Sequence, residues 1–300
     1  MTSTTPITTA SEARDPHAPV VRSERRQARS ERWRLLRRRP GFIVGMVILG
    51  FWILCAIAGK SIAPYGALQT GLPSSRGPGS DFLFGTDQLG RDVLSRVIAG
   101  ARDVIVTGPV VAAISIAAGT LLGLIAGYAR GLTDEIISRV MESILAIPVI
   151  LIGLVIVTYF GVSNIVLIAT VAFLFIPIVY RTVRTAALAE AELDYVTSAK
   201  LRGESGLFIV TREILPNVTG PIIVELTVRV GYAIFTIATL RFLVGGGDPA
   251  SPEWGNQIAQ TYNLIQGGTW WPAVFPALAI ASLVIAINLI ADSVETVYAS

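Results

Sequence analysis

The 300-residue chain is 52% hydrophobic and only 15% charged, with a net charge of +3 and a mean hydropathy of +0.63. A water-soluble domain carries about 25% charged residues to solvate its surface, so this composition excludes one and requires lipid as part of the solvent. A single cysteine, Cys55, excludes an intrachain disulfide, and a single histidine, His17, in the polar tail excludes a His-based metal site or catalytic triad.

In chain order, residues 1–31 are rich in Ser, Thr, Pro, Arg and Glu without apolar periodicity and read as disordered. Ten arginines fall between Arg14 and Arg39. Placed just before an apolar run, the block reads as a topology signal at an anionic membrane face. It does not read as a nucleic-acid site, because no stacking aromatics or groove-reading motif accompanies it. Gly41–Gly59 is nineteen residues without a charge, enough to span the hydrocarbon. A cleaved signal peptide competes for this stretch, but the long basic region and the further spans favour an uncleaved first helix.

Val104–Ala129 predicts a second span, mildly broken at Gly108-Pro109. Ser143–Tyr180 is uncharged for 38 residues, too long for one crossing and suited to two, with Gly161-Val162-Ser163-Asn164 as the turn of a helical hairpin. Pro221–Gly247 is the fifth span and carries Glu225, Arg229 and Arg241. Trp271–Ala291 is the sixth, opened by a Trp-Trp-Pro interfacial anchor. With the amino terminus in the cytoplasm, six crossings return the carboxyl terminus there, and the inner segments hold seventeen of the 24 basic residues, as the positive-inside rule asks. The fold class is therefore an all-α integral membrane protein of about six transmembrane helices with both termini cytoplasmic. Outer segments at 64–102 and 245–270 and an inner segment at 181–219 remain for function.

The inner segment reads DYVTSAKLRGESGLFIVTREILPN from Asp194 to Asn217. Asp194 is the expected N-cap of a short helix, which Gly203 stops in a left-handed conformation, and Leu215-Pro216 turns the chain into the next span. Tyr195, Val196, Leu201 and Phe208 are apolar and need covering, which points to a docking element for a cytoplasmic partner rather than a plain connecting loop. Glu225 and Arg229, four apart, share one helix face. Alone in lipid each charge costs about 2.5–3.5 kcal/mol, so mutual pairing is the expected arrangement. Arg241 near the end of its span is expected to snorkel to water. Arg241, Glu225 and Arg229 are nonetheless the charges available to face a transport pathway. Gly59-Lys60-Ser61 is no phosphate-binding loop, since Leu54 stands where that motif needs glycine.

The inner segment resembles the cytoplasmic loop of permease subunits of bacterial ATP-binding-cassette importers. The Glu-Ala-Ala triplet of that family is here Thr197-Ser198-Ala199, followed by Gly203 and by Ile214-Leu215-Pro216; the leading glutamate is absent. The stretch FGTDQLGRDVLSRVIAG, Phe84 to Gly100, with Gly85-Thr86-Asp87 and Gly90-Arg91-Asp92, resembles the C-type subunit of the dipeptide, oligopeptide and nickel subfamily. Arg39-Pro40, Pro252-Glu253-Trp254-Gly255, Asn288 and Asp292 fit the same subfamily, and Arg241-Phe242-Leu243-Val244-Gly245-Gly246 stands where it usually has Ser-Phe-Leu-Gly-Leu-Gly. The resemblance covers residues 33–296.

It implies a type-1 importer permease fold, divided into a basic tail at 1–38, a first helix and outer loop at 39–102, and a five-helix permease domain at 103–296 in the bacterial inner membrane. It also implies import of di- or oligopeptides, with nickel or another small solute as the alternative. The implied partners are a second homologous permease, two cytoplasmic ATPase subunits that use ATP and Mg, and an extracytoplasmic substrate-binding protein. This chain itself is expected to bind no cofactor and to catalyse nothing. An ion-coupled secondary transporter, the rival class, needs carboxylates at mid-membrane in several helices, and Glu225 is the sole candidate.

Overall fold

The computed structural model describes residues 34–298, so the expected basic tail lies, apart from 34–38, outside the described residues. Among these there is no strand, only an isolated antiparallel bridge between Thr86 and Asp92. Helix α1 (Pro40–Ile62) opens on a proline, whose missing amide costs nothing in a first turn. Helix α2 (Val93–Ala129) is capped by Asp92, whose carboxylate accepts from the Ser95 amide. α3 (Gly131–Leu145) and α4 (Val149–Phe160) meet at an 80° bend. α5 (Asn164–Glu190) is capped by Ser163. Three short helices follow: α6 (Asp194–Leu201), α7 (Gly206–Phe208) and, beyond a π-helical turn at Ile209–Ile214, α8 (Leu215–Asn217). α9 (Thr219–Leu243), α10 (Trp254–Thr261) and α11 (Trp271–Tyr298) complete the order.

Five of these helices are long and apolar enough to cross a membrane, and six spans result if the bent α3–α4 pair counts as one. One end of the bundle, here the tryptophan end, carries Trp254 and Trp271. The other, the loop end, carries residues 191–218. Val297 packs with Leu36 and Phe42 in one apolar cluster, so both ends of the described chain lie at the loop end. α1 is the outlying helix: Val47 is 67% and Ile57 81% exposed, as a lipid-facing side requires.

The closest helix packing joins α2 to α5. Gly119, Gly123 and Gly127 recur every four residues on one side of α2. A Cβ placed on them would stand 2.6 Å from Val179, 2.9 Å from Val183 and 2.7 Å from Ala187 respectively. Lipid supplies no hydrophobic drive between helices, so close backbone approach through small residues is what holds such pairs together.

The structure corrects several boundaries. The second span begins at Val93 rather than Val104, because Arg96, Arg102 and Asp103 occupy the first turns of a helix that rises past the apolar zone. The run from Ser143 does not make two straight spans. α4 has 12 residues, about 18 Å of helix against a hydrocarbon thickness of about 30 Å, so it makes a full span only if it is counted together with α3 across the 80° break at Pro148. The hairpin turn at 161–164 stands as expected, with Gly161 at φ 86°. α5 continues to Glu190 and α9 begins at Thr219, which shortens the connecting segment.

Gly123→Leu forces a branched side chain into the α2–α5 contact and should destabilise the fold by about 1–3 kcal/mol. A fall in the thermal unfolding midpoint in detergent, with Gly50→Ala as an open-space control, checks this.

Candidate functional site

Two regions gather the residues singled out in the sequence, one at each end of the bundle. At the tryptophan end, the segment before α2 folds back on itself around Asp87. Its Oδ1 accepts from the Leu89 and Arg91 amides at 2.9 and 3.0 Å, and its Oδ2 accepts from Arg91 Nε at 2.6 Å. Gly90 (φ 65°) makes the turn, with the Leu72 carbonyl filling the space a Cβ would need. Thr86 Oγ1 donates to the Pro73 carbonyl, and the Thr86 carbonyl accepts from Trp271 Nε1 at 2.9 Å. Arg91 and Arg96 then reach across to the 249–251 carbonyls at 3.0 and 3.1 Å. From the other side, Trp254 Nε1 donates to the Val97 carbonyl at 2.8 Å and Gln257 Nε2 to the Arg96 carbonyl at 3.2 Å.

The result is a polar cap whose residues face inward. Thr86, Asp87, Arg91 and Asp92 are all buried. The Gly85-Thr86-Asp87 and Gly90-Arg91-Asp92 triplets therefore act on the chain's own architecture, while Leu68, Leu83 and Leu89 are the apolar side chains this cap exposes.

At the loop end, α6 lays Val196 and Ala199 against α2, α5 and the π-helical turn, both fully buried. Two expectations are corrected. Asp194 is not the N-cap: that position is Leu193, with no side-chain cap, and Asp194 is the first helical residue, where its charge still complements the helix dipole. Val196 needs no partner to cover it, and Ala199 turns inward with it. Gly203 ends the helix at φ 77°. Its amide bonds to the Lys200 carbonyl at 3.0 Å and the Glu204 amide to the Ala199 carbonyl at 3.2 Å, the two bonds of a Schellman motif.

Tyr195 fixes the base of α6, donating to Glu190 Oε2 at 2.5 Å and accepting from Asn217 Nδ2 at 3.0 Å. Burial, with the Glu190 carboxylate behind it, pushes the phenol up to about 12, so it stays a neutral donor across the physiological range. Thr197 and Ser198 point outward, with Pro216 exposed and Leu215 half-buried. The apolar side chains this segment leaves open are Leu193 at 47%, Leu201 at 84%, Leu207 at 76% and Phe208 at 39% exposure.

Residues 119–299 match the family described as binding-protein-dependent transport system inner membrane component, and residues 29–77 match the N-terminal TM domain of oligopeptide transport permease C. The chain is 35% identical over 272 residues to the dipeptide transport system permease protein DppC of Haemophilus influenzae, covering 88% of this chain and 92% of that one. It is 37% identical over 274 residues to the protein of the same name from Escherichia coli K12, covering 88% and 90%. A putative peptide transport system permease protein of Brucella suis is 37% identical over 291 residues, covering 93% and 91%.

This chain belongs to the binding-protein-dependent transport permeases. It is thus a multi-pass protein of the bacterial inner membrane and the transmembrane component of an ATP-binding-cassette transporter that works with a substrate-binding protein and an ATPase.

Within this permease the charges of the fifth span are paired inside the chain. Glu225 Oε1 and Arg229 Nε stand 2.8 Å apart, and the Arg229 guanidinium also lies 5.0 Å from the Tyr232 ring centroid and 5.5 Å from that of Phe175. Arg241 does not snorkel. It is 5% exposed, with Nε 3.3 Å from Glu253 Oε2, and Nη2 donates to Asn164 Oδ1. Burial pushes the Glu253 carboxyl above the usual carboxylate range, against the pull of Arg241 and of the Asn256 and Gly255 amides.

Sequence reasoning found neither Glu253 nor Asn164 as partners of Arg241, and the signal was there: an arginine in the last turn of an apolar helix needs an acid within reach, and after Asp248 the next is Glu253. It also missed the two-pronged Asp134–Arg184 bridge, 2.5 and 2.6 Å, that ties α3 to α5.

Arg241→Ser leaves a buried carboxylate alone and should destabilise the permease by about 3–5 kcal/mol. The double variant Arg241→Ser/Glu253→Gln should lose less than Arg241→Ser by itself. Thermal unfolding of the three proteins in one detergent measures the coupling.

Proposed function

We propose that this permease forms half of the path of a peptide importer and transmits the work of ATP hydrolysis through the ledge made by α6 and α7. The observation that carries the reading is the row of exposed Leu193, Leu201, Leu207 and Phe208 along α6 and α7, with Val196 and Ala199 on the other side of α6 locked into the bundle. An apolar patch of this kind, rimmed by Thr197, Ser198, Lys200 and Arg202, is a docking surface for a rigid partner. The relatives named for dipeptide and peptide transport supply the solute class.

In this reading the loop end is cytoplasmic, as the Arg-rich sequence before α1 asks of the positive-inside rule. A groove in each ATPase subunit grips the ledge; ATP and Mg are bound there and not by this chain. Because Val196, Ala199 and the Tyr195 hydrogen bonds join α6 to α2, α5 and the π-helical turn, a push on the ledge moves those elements as one body. A six-span chain has too little wall to enclose a wet path for a peptide, so a second, homologous permease completes it. The binding protein delivers solute to the cap at the tryptophan end, where Leu68, Leu83 and Leu89 are open.

Gly203→Val tests the lever directly. The position has open space around it but a left-handed backbone, which a β-branched residue adopts only at a cost of about 1–2 kcal/mol. The variant should reach the membrane at normal abundance, while peptide uptake and peptide-stimulated ATPase activity both fall by about tenfold. Normal uptake and stimulation in that variant overturn the assignment.

Orientation has its own measurement. Cysteines placed at Thr197 and Leu83 in a Cys55→Ala background should react with a membrane-impermeant maleimide from opposite sides of the membrane, Leu83 from outside the intact cell.

A further inference from the structure

Two separate cavities lie along α1 and α2. The upper one, at the tryptophan end, has a volume of about 750 Å³ and is lined by Lys60, Arg102, Asp103, Tyr65 and Gln69 among apolar neighbours. Lower down, Leu49 and Ile53 of α1 and Ile105 and Pro109 of α2 close with α9 and α11 around a second cavity of about 330 Å³, whose lining is apolar except for Thr227.

The two cavities lie on the same helix faces. Leu49, Ile53, Ala56 and Lys60 recur at helical spacing on α1, as do Arg102, Ile105 and Pro109 on α2. Lys60 and Arg102 therefore stand above one continuous apolar strip. From Lys60 to Leu49 α1 rises by about 16 Å, close to the half-thickness of the hydrocarbon. Trp270 and Trp271 at this end of the bundle mark the headgroup level. None of Lys60, Arg102 and Asp103 joins an ion pair among the described residues.

We propose that the two cavities form one crevice and that it is a phospholipid site. The phosphate lies between Lys60 and Arg102, one acyl chain follows the α1–α2 strip into the lower cavity, and Asp103 faces an amine on the headgroup. Two cations beside one carboxylate match a phosphate carrying a short ammonium arm better than a phosphate alone. A protein helix does not fit the lower cavity, since at about 10 Å across it would exhaust that volume in less than one turn.

The test uses the full-length permease in its assembled transporter, purified in detergent and stripped of lipid. Palmitoyl-oleoyl phosphatidylethanolamine, the matching phosphatidylglycerol and inorganic phosphate are then added separately and retained adducts are read by native mass spectrometry. The wild type should hold one phosphatidylethanolamine per permease, bind the glycerol lipid more weakly, and retain no inorganic phosphate. Lys60→Ala/Arg102→Ala should weaken lipid retention by about tenfold or more, Ile53→Trp should do the same by filling the strip, and Lys60→Arg/Arg102→Lys should keep it.

Retention unchanged in both Lys60→Ala/Arg102→Ala and Ile53→Trp overturns the site. So does equal retention of the two lipids, or capture of inorganic phosphate by itself. A disulfide from a cysteine at position 53 to the second permease would show protein in the crevice and overturn it as well.

Discussion

Hydrocarbon offers neither water nor hydrogen-bond partners, and a charge or open amide left in it costs several kcal/mol. The disposition of polar groups in this chain follows from that constraint. Glu225 stands beside Arg229 within one helix, Arg241 reaches out of its helix to Glu253 and Asn164, and Asp134 bridges to Arg184 between two helices. Helix starts are handled the same way, with Asp92, Ser163 and Glu253 each accepting from a first-turn amide. Where no charge intervenes, glycine takes over, and α2 meets α5 through backbone rather than side chain.

The two ends of the bundle solve different problems. The tryptophan end is a thick polar cap in which Arg91, Arg96, Trp254 and Gln257 bind carbonyls from segments far apart in sequence, while Asp87 and Asn256 tie down the turns beside them. Such a cap resists deformation, because shifting any one member strands a buried donor or acceptor. The loop end is a thin layer, buried on one side and apolar on the other. Stiffness at one end and an exposed apolar ledge at the other are what the proposed lever requires.

Most spans were legible in the sequence because an uncharged run of some twenty residues has no other home. The turn at Gly161 and the stop at Gly203 were legible too, since both need a positive φ that glycine adopts freely. The third span was not. Asp134, Glu135, Arg139 and Glu142 put α3 outside any apolar window, and Ala146-Ile147-Pro148 hid the break inside one. The start of α2 was lost for the same reason: Arg96 donates to carbonyls contributed from residues 67 and 251, which no local pattern reveals. The family triplets before α2 were recognisable as a pattern, yet only the fold tells that their side chains point inward.

The bond from Trp254 to the Val97 carbonyl spans 157 residues of chain. A ribosome adding about 5–20 residues per second needs on the order of ten to thirty seconds to pass from one partner to the other. For that interval the head of α2, with Arg96 and the Arg91 just before it, has been made while its cover has not. The cap therefore cannot close until α10 is made, and a nascent permease halted before α10 leaves open the polar groups that the finished protein keeps inside.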